Sequence, residues 1–170
     1  MATTKPTFEE LFRSAQHSAW HFEARDAYAL DEDYQEWIAG NHFDPAERWP
    51  WWIDLVSASV VRGVDVRRAR VVSEPVSAYI RYEHALTSGH NVKAGESVRW
   101  LPRRQASSLL LPGNDCWIFD RASVLFNHFN GDGEMTGEEL VTDPGVAHAC
   151  VSAFEAIWER ATPHEEYRPV

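Results

Sequence analysis

The chain holds 170 residues, 44% of them hydrophobic, with eight Trp, eight Phe and a formal charge of −10. A domain of that length buries roughly 70% of its unfolded surface. So much aromatic content argues against disorder, and the acidic balance argues against a grip on nucleic-acid phosphates, which takes clustered Lys and Arg.

No apolar run reaches the ~18 residues of a membrane span, and residues 1–7 lack signal-peptide character. The expectation is one cytoplasmic domain over 1–170, with 1–6 flexible, 165–170 a C-terminal tail, and no membrane contact. Cys116 and Cys150 are far apart in sequence and supply neither a disulfide framework nor metal spacing.

Thr7-Phe8-Glu9-Glu10 is a capping box, and Phe8, Leu11, Phe12 and Ala15 share one face of the helix that follows. From Ser18 to Tyr28 the pattern alternates. Trp20, Phe22 and Ala24 point one way and His21, Glu23 and Arg25 the other, as in a half-buried strand. Asp31 and Asp33 can cap a helix carrying Tyr34, Trp37 and Ile38, closed by Gly40-Asn41. Residues 41–49 read as a loop. Pro50 starts a helix through Val60 that Gly63 stops, and Val64–Val72 is a strand.

Pro75–Leu86 reads as a short helix, Gly89–Gly95 as a loop, and Ser97–Leu101 as a strand ended by Pro102. Residues 103–112 stay ambiguous. Asp115–Phe119 and Ser123–Phe129 form a hairpin through Asp120-Arg121. After a turn at Gly131-Asp132-Gly133, Met135–Val141 offers a third strand. Asp143 caps a long last helix with Pro144 at its first position. Its apolar face is Val146, Ala149, Cys150, Ala153, Phe154, Ile157 and Trp158, and Pro163 ends it. The fold class is α/β, with α+β as the variant: a mixed central sheet, flanking helices and a long C-terminal helix.

Few motifs carry chemistry. His17 and His21 have helical zinc spacing, but the stretch turns to strand alternation and no HExxH is present. Asn130–Glu134 resembles the start of a calcium loop, yet the sixth position is Met135 and the twelfth Val141, so the shell cannot close. Asp31, Glu32, Asp33 and Glu36 suit the first turn of a helix. Nucleophile elbows, P-loops and dinucleotide fingerprints are absent, and no cofactor or metal is expected. The arginines are more suggestive: Arg67, Arg68, Arg70, Arg81, Arg99, Arg103 and Arg104 could wall an anion site. Internal pairing with Glu74, Glu83 and Glu96 is the simpler alternative. Trp49, Trp51 and Trp52 beside Phe43 could form a contact surface or a core.

The segments Arg70–Pro75, Ala94-Gly95-Glu96, Val98–Pro102, Asp115–Asp120 and Phe154–Trp158 together resemble a family of unknown function found in Streptomyces and related actinomycetes. Its members are commonly encoded beside helix-turn-helix regulators, which implies a regulatory or partner role. The strand Gly63–Arg67 after a helix, the late strand ending in Asp120 and the final helix are also similar to the phospholipase-D-like fold. Active members of that fold carry His-x-Lys with an Asp five residues after the Lys. Counting back from Asp120 puts Asp115 at the Lys and Gly113 at the His, so the resemblance implies a pseudoenzyme.

The leading expectation is therefore a non-catalytic regulatory module that binds a helix-turn-helix protein or a small anionic ligand through Arg67, Arg70, Arg99 and Arg103. A phosphoester hydrolase is the alternative, with Asp120, His128 and His90 as its candidate groups. A toxin-like effector paired with a regulator is a third. The eight Trp leave room for a homodimer interface.

Overall fold

The computed structural model describes residues 5–29 and 31–170; the expectation of flexibility at the start of the chain falls largely outside them. Helix α1 (Phe8–Ser14) begins at the Thr7 capping box, with the Thr7 hydroxyl accepting from the Glu10 amide and Glu10 accepting from the Thr7 amide. Strand β1 (Ser18–Glu23) follows, then α2 (Glu32–Ile38), α3 (Pro45–Arg48), α4 (Pro50–Val61), β2 (Asp65–Val72), α5 (Ala78–Thr87), β3 (Ser97–Pro102), β4 (Cys116–Phe119), β5 (Ser123–Phe129), β6 (Met135–Val141), α6 (Pro144–Arg160) and the two-residue β7 (Thr162–Pro163).

Seven strands form one mixed sheet in the order β6-β5-β4-β1-β2-β3-β7. The middle, β1–β2–β3, is parallel, and every other neighbouring pair in the sheet is antiparallel. Each parallel step crosses over through helices, α2 to α4 between β1 and β2 and α5 between β2 and β3, as parallel connections require. The β4–β5 turn places both Asp120 and Arg121 at positive φ (51° and 60°), the signature of a type I′ hairpin turn.

Helix α6 covers one face of the sheet. There Trp20, Phe22, Ala69, Val71, Leu101, Cys116, Ile118 and Val124 pack on Cys150, Val151, Phe154 and Ile157. Helices α1 and α4 cover part of the other face through Phe12, Trp52, Leu55 and Val56 against Ala19, Val66, Trp117 and Phe119. Covered on both sides, β1 is buried along its whole length rather than half-buried.

Four other expectations need correction. Residues 45–48 form a helical turn because Asp44 caps it and Pro45 starts it. Residues 88–92 form a π turn continuing α5 rather than a loop. Ala149 is exposed on α6, and Ala147 and Val151 take the core positions. The last residues are packed: Tyr167 is buried and stacks on Trp100, and the Val170 carbonyl accepts from the Val76 amide.

Candidate functional site

Pairing of β1 with β2 sets His21 beside Arg68 and Glu23 beside Arg70. Strand alternation turns these four residues to the side opposite α6. Arg68 and Arg70 are each only 6% exposed. Two guanidiniums at that depth require partners, since an unpaired buried charge is costly. Glu23 supplies one oxygen to each, at 2.5 Å from Arg68 Nη1 and 2.6 Å from Arg70 Nε. Glu96, just ahead of β3, accepts from Arg68 Nε at 2.8 Å, from Trp52 Nε1 at 2.9 Å and from Asn91 Nδ2 at 2.9 Å. Arg70 also donates to the Thr87 hydroxyl at the end of α5. The rings complete the sandwich: Arg68 lies over Trp52 and Trp117, and Arg70 over Trp100.

This network floors a cleft of about 290 Å³. Its walls are the aromatic rings Trp49, Trp51, Trp52, Tyr79 and Tyr82 with the carboxylates Asp31, Asp33 and Glu83. The floor and wall acids behave oppositely. Burial works against ionisation of Glu23, but Arg68 and Arg70 outweigh it and hold Glu23 well below the usual carboxylate range. Burial pushes Glu83 up to about 7, opposed by Arg70 and reinforced by Glu23. Burial likewise raises Asp115, just ahead of β4, to about 6, although the Tyr28 hydroxyl donates to it.

The arginines named from sequence do not form one wall. Arg67, one residue out of phase with Arg68, faces the α6 side, where it pairs with Asp65 and lies between Trp20 and Trp158. Arg99 is also there, donating to the Trp158 carbonyl. Arg103 ties backbone carbonyls of Ala24 and Val71 to the Ser73 hydroxyl. Of Arg67, Arg70, Arg99 and Arg103, only Arg70 reaches the cleft, beside Arg68.

The candidate acid/base set is also dispersed. Asp120 accepts from the backbone amides of Gln16, His17 and Ser18, so it staples the hairpin turn to the start of β1. His128 pairs with Glu139 further along the hairpin; Ser123 to His128 alone spans about 16 Å of strand. His90 lies instead in the cleft, against Trp49 and Trp52. His21 sits in an extended strand, which removes the helical His17/His21 pair. Asn130 uses its side chain on the Asp132 and Glu134 amides, forming a turn.

Two juxtapositions were not read from sequence. Cys116 on β4 and Cys150 on α6, both free and buried, lie in the same apolar layer. Ser88 lies 2.9 Å from His164 Nε2, which looks like a nucleophile and its base. Trp100 Nε1 donates to His164 Nδ1 at 3.1 Å, however, so in the neutral ring the proton resides on Nε2. Burial, reinforced by His84 and Arg70, lowers His164 to about 4 and keeps the ring neutral. His164 therefore donates to Ser88 and cannot take its proton.

The model of a domain of unknown function, DUF6879, matches residues 6–169. The chain belongs to that family. No curated protein sequence matches this DUF6879 chain. Among solved structures it is similar to Nuc, a phospholipase D family member from Salmonella typhimurium, with a TM-score of 0.51 and 15% identity over 94% of this chain and 88% of that one. It is also similar to TrmBL2, an archaeal chromatin protein whose structure shows a mode of DNA binding. That likeness has a TM-score of 0.50 and 17% identity over 90% of this chain and 47% of that one. The first likeness bears out the phospholipase-D-like fold, and at such identities it speaks for the fold alone.

Proposed function

We propose that this DUF6879 chain is a non-catalytic binding module whose ligand or partner enters the aromatic cleft above Glu23, Arg68, Arg70 and Glu96. The carrying observation is the floor itself. Four charged side chains are buried and mutually neutralised beneath an open, ring-lined cleft, a costly arrangement for stability and a useful one for rigid recognition.

Chemistry has less support. Gly113 and Asp115 stand where a phospholipase-D-like enzyme needs its nucleophilic His and phosphate-binding Lys. Ser88 faces a donor rather than a base, and Asp120 is saturated by backbone amides. The partner we favour is a cytoplasmic helix-turn-helix regulator encoded beside the gene in an actinomycete.

The test is co-purification of that regulator with the intact chain and with Trp51→Ala, which alters the exposed rim of the cleft. Capture by the wild type and at least tenfold weaker capture by the variant is the expected result. Equal capture would move the binding surface elsewhere. The likeness to a phospholipase D family member favours a second reading, phosphoester hydrolysis. Hydrolysis of bis(p-nitrophenyl) phosphate that co-elutes with the protein through two columns would replace the first reading with it.

A further inference from the structure

Resting on the cleft as the binding site, we infer that it takes an organic cation, an ammonium or guanidinium head on an apolar stem, with Glu83 as the counter-charge and the Trp and Tyr faces around it.

Four carboxylates line the cleft (Glu23, Asp31, Asp33 and Glu83) against two guanidiniums, Arg68 and Arg70. Those two are already neutralised by Glu23 and Glu96, with contacts of 2.5–2.8 Å. An entering anion would have to displace a bonded carboxylate. A cation meets the opposite situation, because most wall acids have donors and one does not. Asp31 accepts from the Tyr34 amide and the Tyr79 hydroxyl. Asp33 accepts from Arg48 and Trp49.

Among the described residues Glu83 makes a single ion contact, with Arg70 at 3.8 Å, and its carboxylate has no hydrogen bond. Tyr82 is only 5% exposed as a residue, and its hydroxyl has no hydrogen bond among the described residues. It lies in the field of Asp31, Asp33 and Glu83. His90 contributes a buried Nε2 without a partner and stays neutral near pH 7, because burial, reinforced by Arg68, lowers it to about 4. Rings around a carboxylate are the arrangement that attracts a desolvated organic cation. A volume near 290 Å³ limits the guest to a small head and a short stem.

Glu83 couples that binding to protons. The charged and titratable groups facing it are Arg68 and Arg70 from β2, Glu23 from β1, Asp115 ahead of β4, Tyr28, and Tyr79 and Tyr82 on its own helix. Near pH 6 Glu83 is mostly protonated and near pH 8 mostly ionised, so a cation that requires the carboxylate binds about tenfold tighter at pH 8.

Calorimetry and thermal shift on the intact chain at constant ionic strength test this, with agmatine and choline as cationic probes and phosphate and AMP as anionic ones. Binding of a cation, a tenfold gain between pH 6 and 8, and loss of that gain in a folded Glu83→Gln support the proposal. Trp51→Ala, at the exposed rim, should weaken the same probes. N-acetyl-arginine methylamide separates the sources: affinity equal to agmatine points to a side chain presented by a partner, and agmatine alone to a free amine. Binding of phosphate or AMP but neither cation overturns the cation class and leaves the binding-module reading standing. Binding of none also overturns it, and the co-purification result then stands or falls independently.

Discussion

The two faces of the sheet use the same strands to opposite ends. On the α6 side, Trp20, Phe22, Val71 and Ile118 meet Phe154 and Ile157 in a closed apolar layer. On the other side, the next residue along each strand contributes His21, Glu23, Arg68 and Arg70, under helices that leave a cleft open. One face resembles any α/β interior, where burial of apolar area supplies stability. The other places the charged groups Glu23, Arg68, Arg70 and Glu96 where hydrophobic residues of similar size would cost less. A face that gives up stability in this way is the better place to look for function, and the contrast can be broken from either side.

The largest effect should come from the closed face. Phe154 is almost fully buried and stacks on Trp20, so Phe154→Ala should lower stability by about 3–5 kcal/mol, as measured by urea unfolding. The cleft should survive in whatever fraction remains folded. The polar face should yield nearly as much. Glu23→Gln strips Arg70 of its closest carboxylate while Arg68 keeps Glu96, which places the loss near 3 kcal/mol, the low end for breaking a buried pair. A loss below 1 kcal/mol would mean the network is hydrated and the floor is not rigid.

Titration sharpens the comparison further. Glu83 has a raised value in the folded state, about 7 against an ordinary 4.5. Between those values the folded protein holds a proton that the unfolded chain has released. Stability therefore falls as pH rises from about 4.5 to 7, by roughly 3 kcal/mol at most at 1.36 kcal/mol per unit. Glu23, with its lowered value, has the opposite sign: its contribution is present above about 4.5 and is lost on acidification below it. Glu83→Gln should flatten the slope between pH 5 and 7 and leave the acid limb in place. An unchanged slope in urea melts across that range would assign the titration to Asp115 instead, whose raised value of about 6 overlaps it.

Much of the scaffold was legible because it is local. The Thr7 capping box, Pro50 and Pro144 at helix starts, Gly63 as a stop and the Asp120-Arg121 turn each act within a few residues. The cleft was hardly legible because its partners come from afar. Glu23 is 45 residues from Arg68 and 47 from Arg70, and nothing in β1 alone distinguishes a carboxylate facing water from one facing two arginines. One signal was available. Two strands with polar residues at alternate positions, His21/Glu23 and Arg68/Arg70, become a buried ion network once they are paired in parallel and covered by a helix. The π turn at 88–92 and the β7 strand depend on the packing of α5 and on β3, respectively, and carry no local mark.

The smallest expected effect concerns Arg67, the residue that alternation sends to the wrong face for an anion site. It is about one-third exposed, bonded to Asp65 and held between Trp20 and Trp158. Cation–π contacts and ion pairs at that exposure are worth roughly 0.5–1 kcal/mol in total. Arg67→Ala should therefore shift the urea midpoint slightly and leave cation or partner binding unchanged. Arg67 and Arg68 are adjacent in sequence, so the pair isolates the effect of facing. If Arg67→Ala impaired binding as much as changes in the cleft do, recognition would lie on the α6 face among Arg67, Arg99 and Trp158. The polar network on the other face would then be structural.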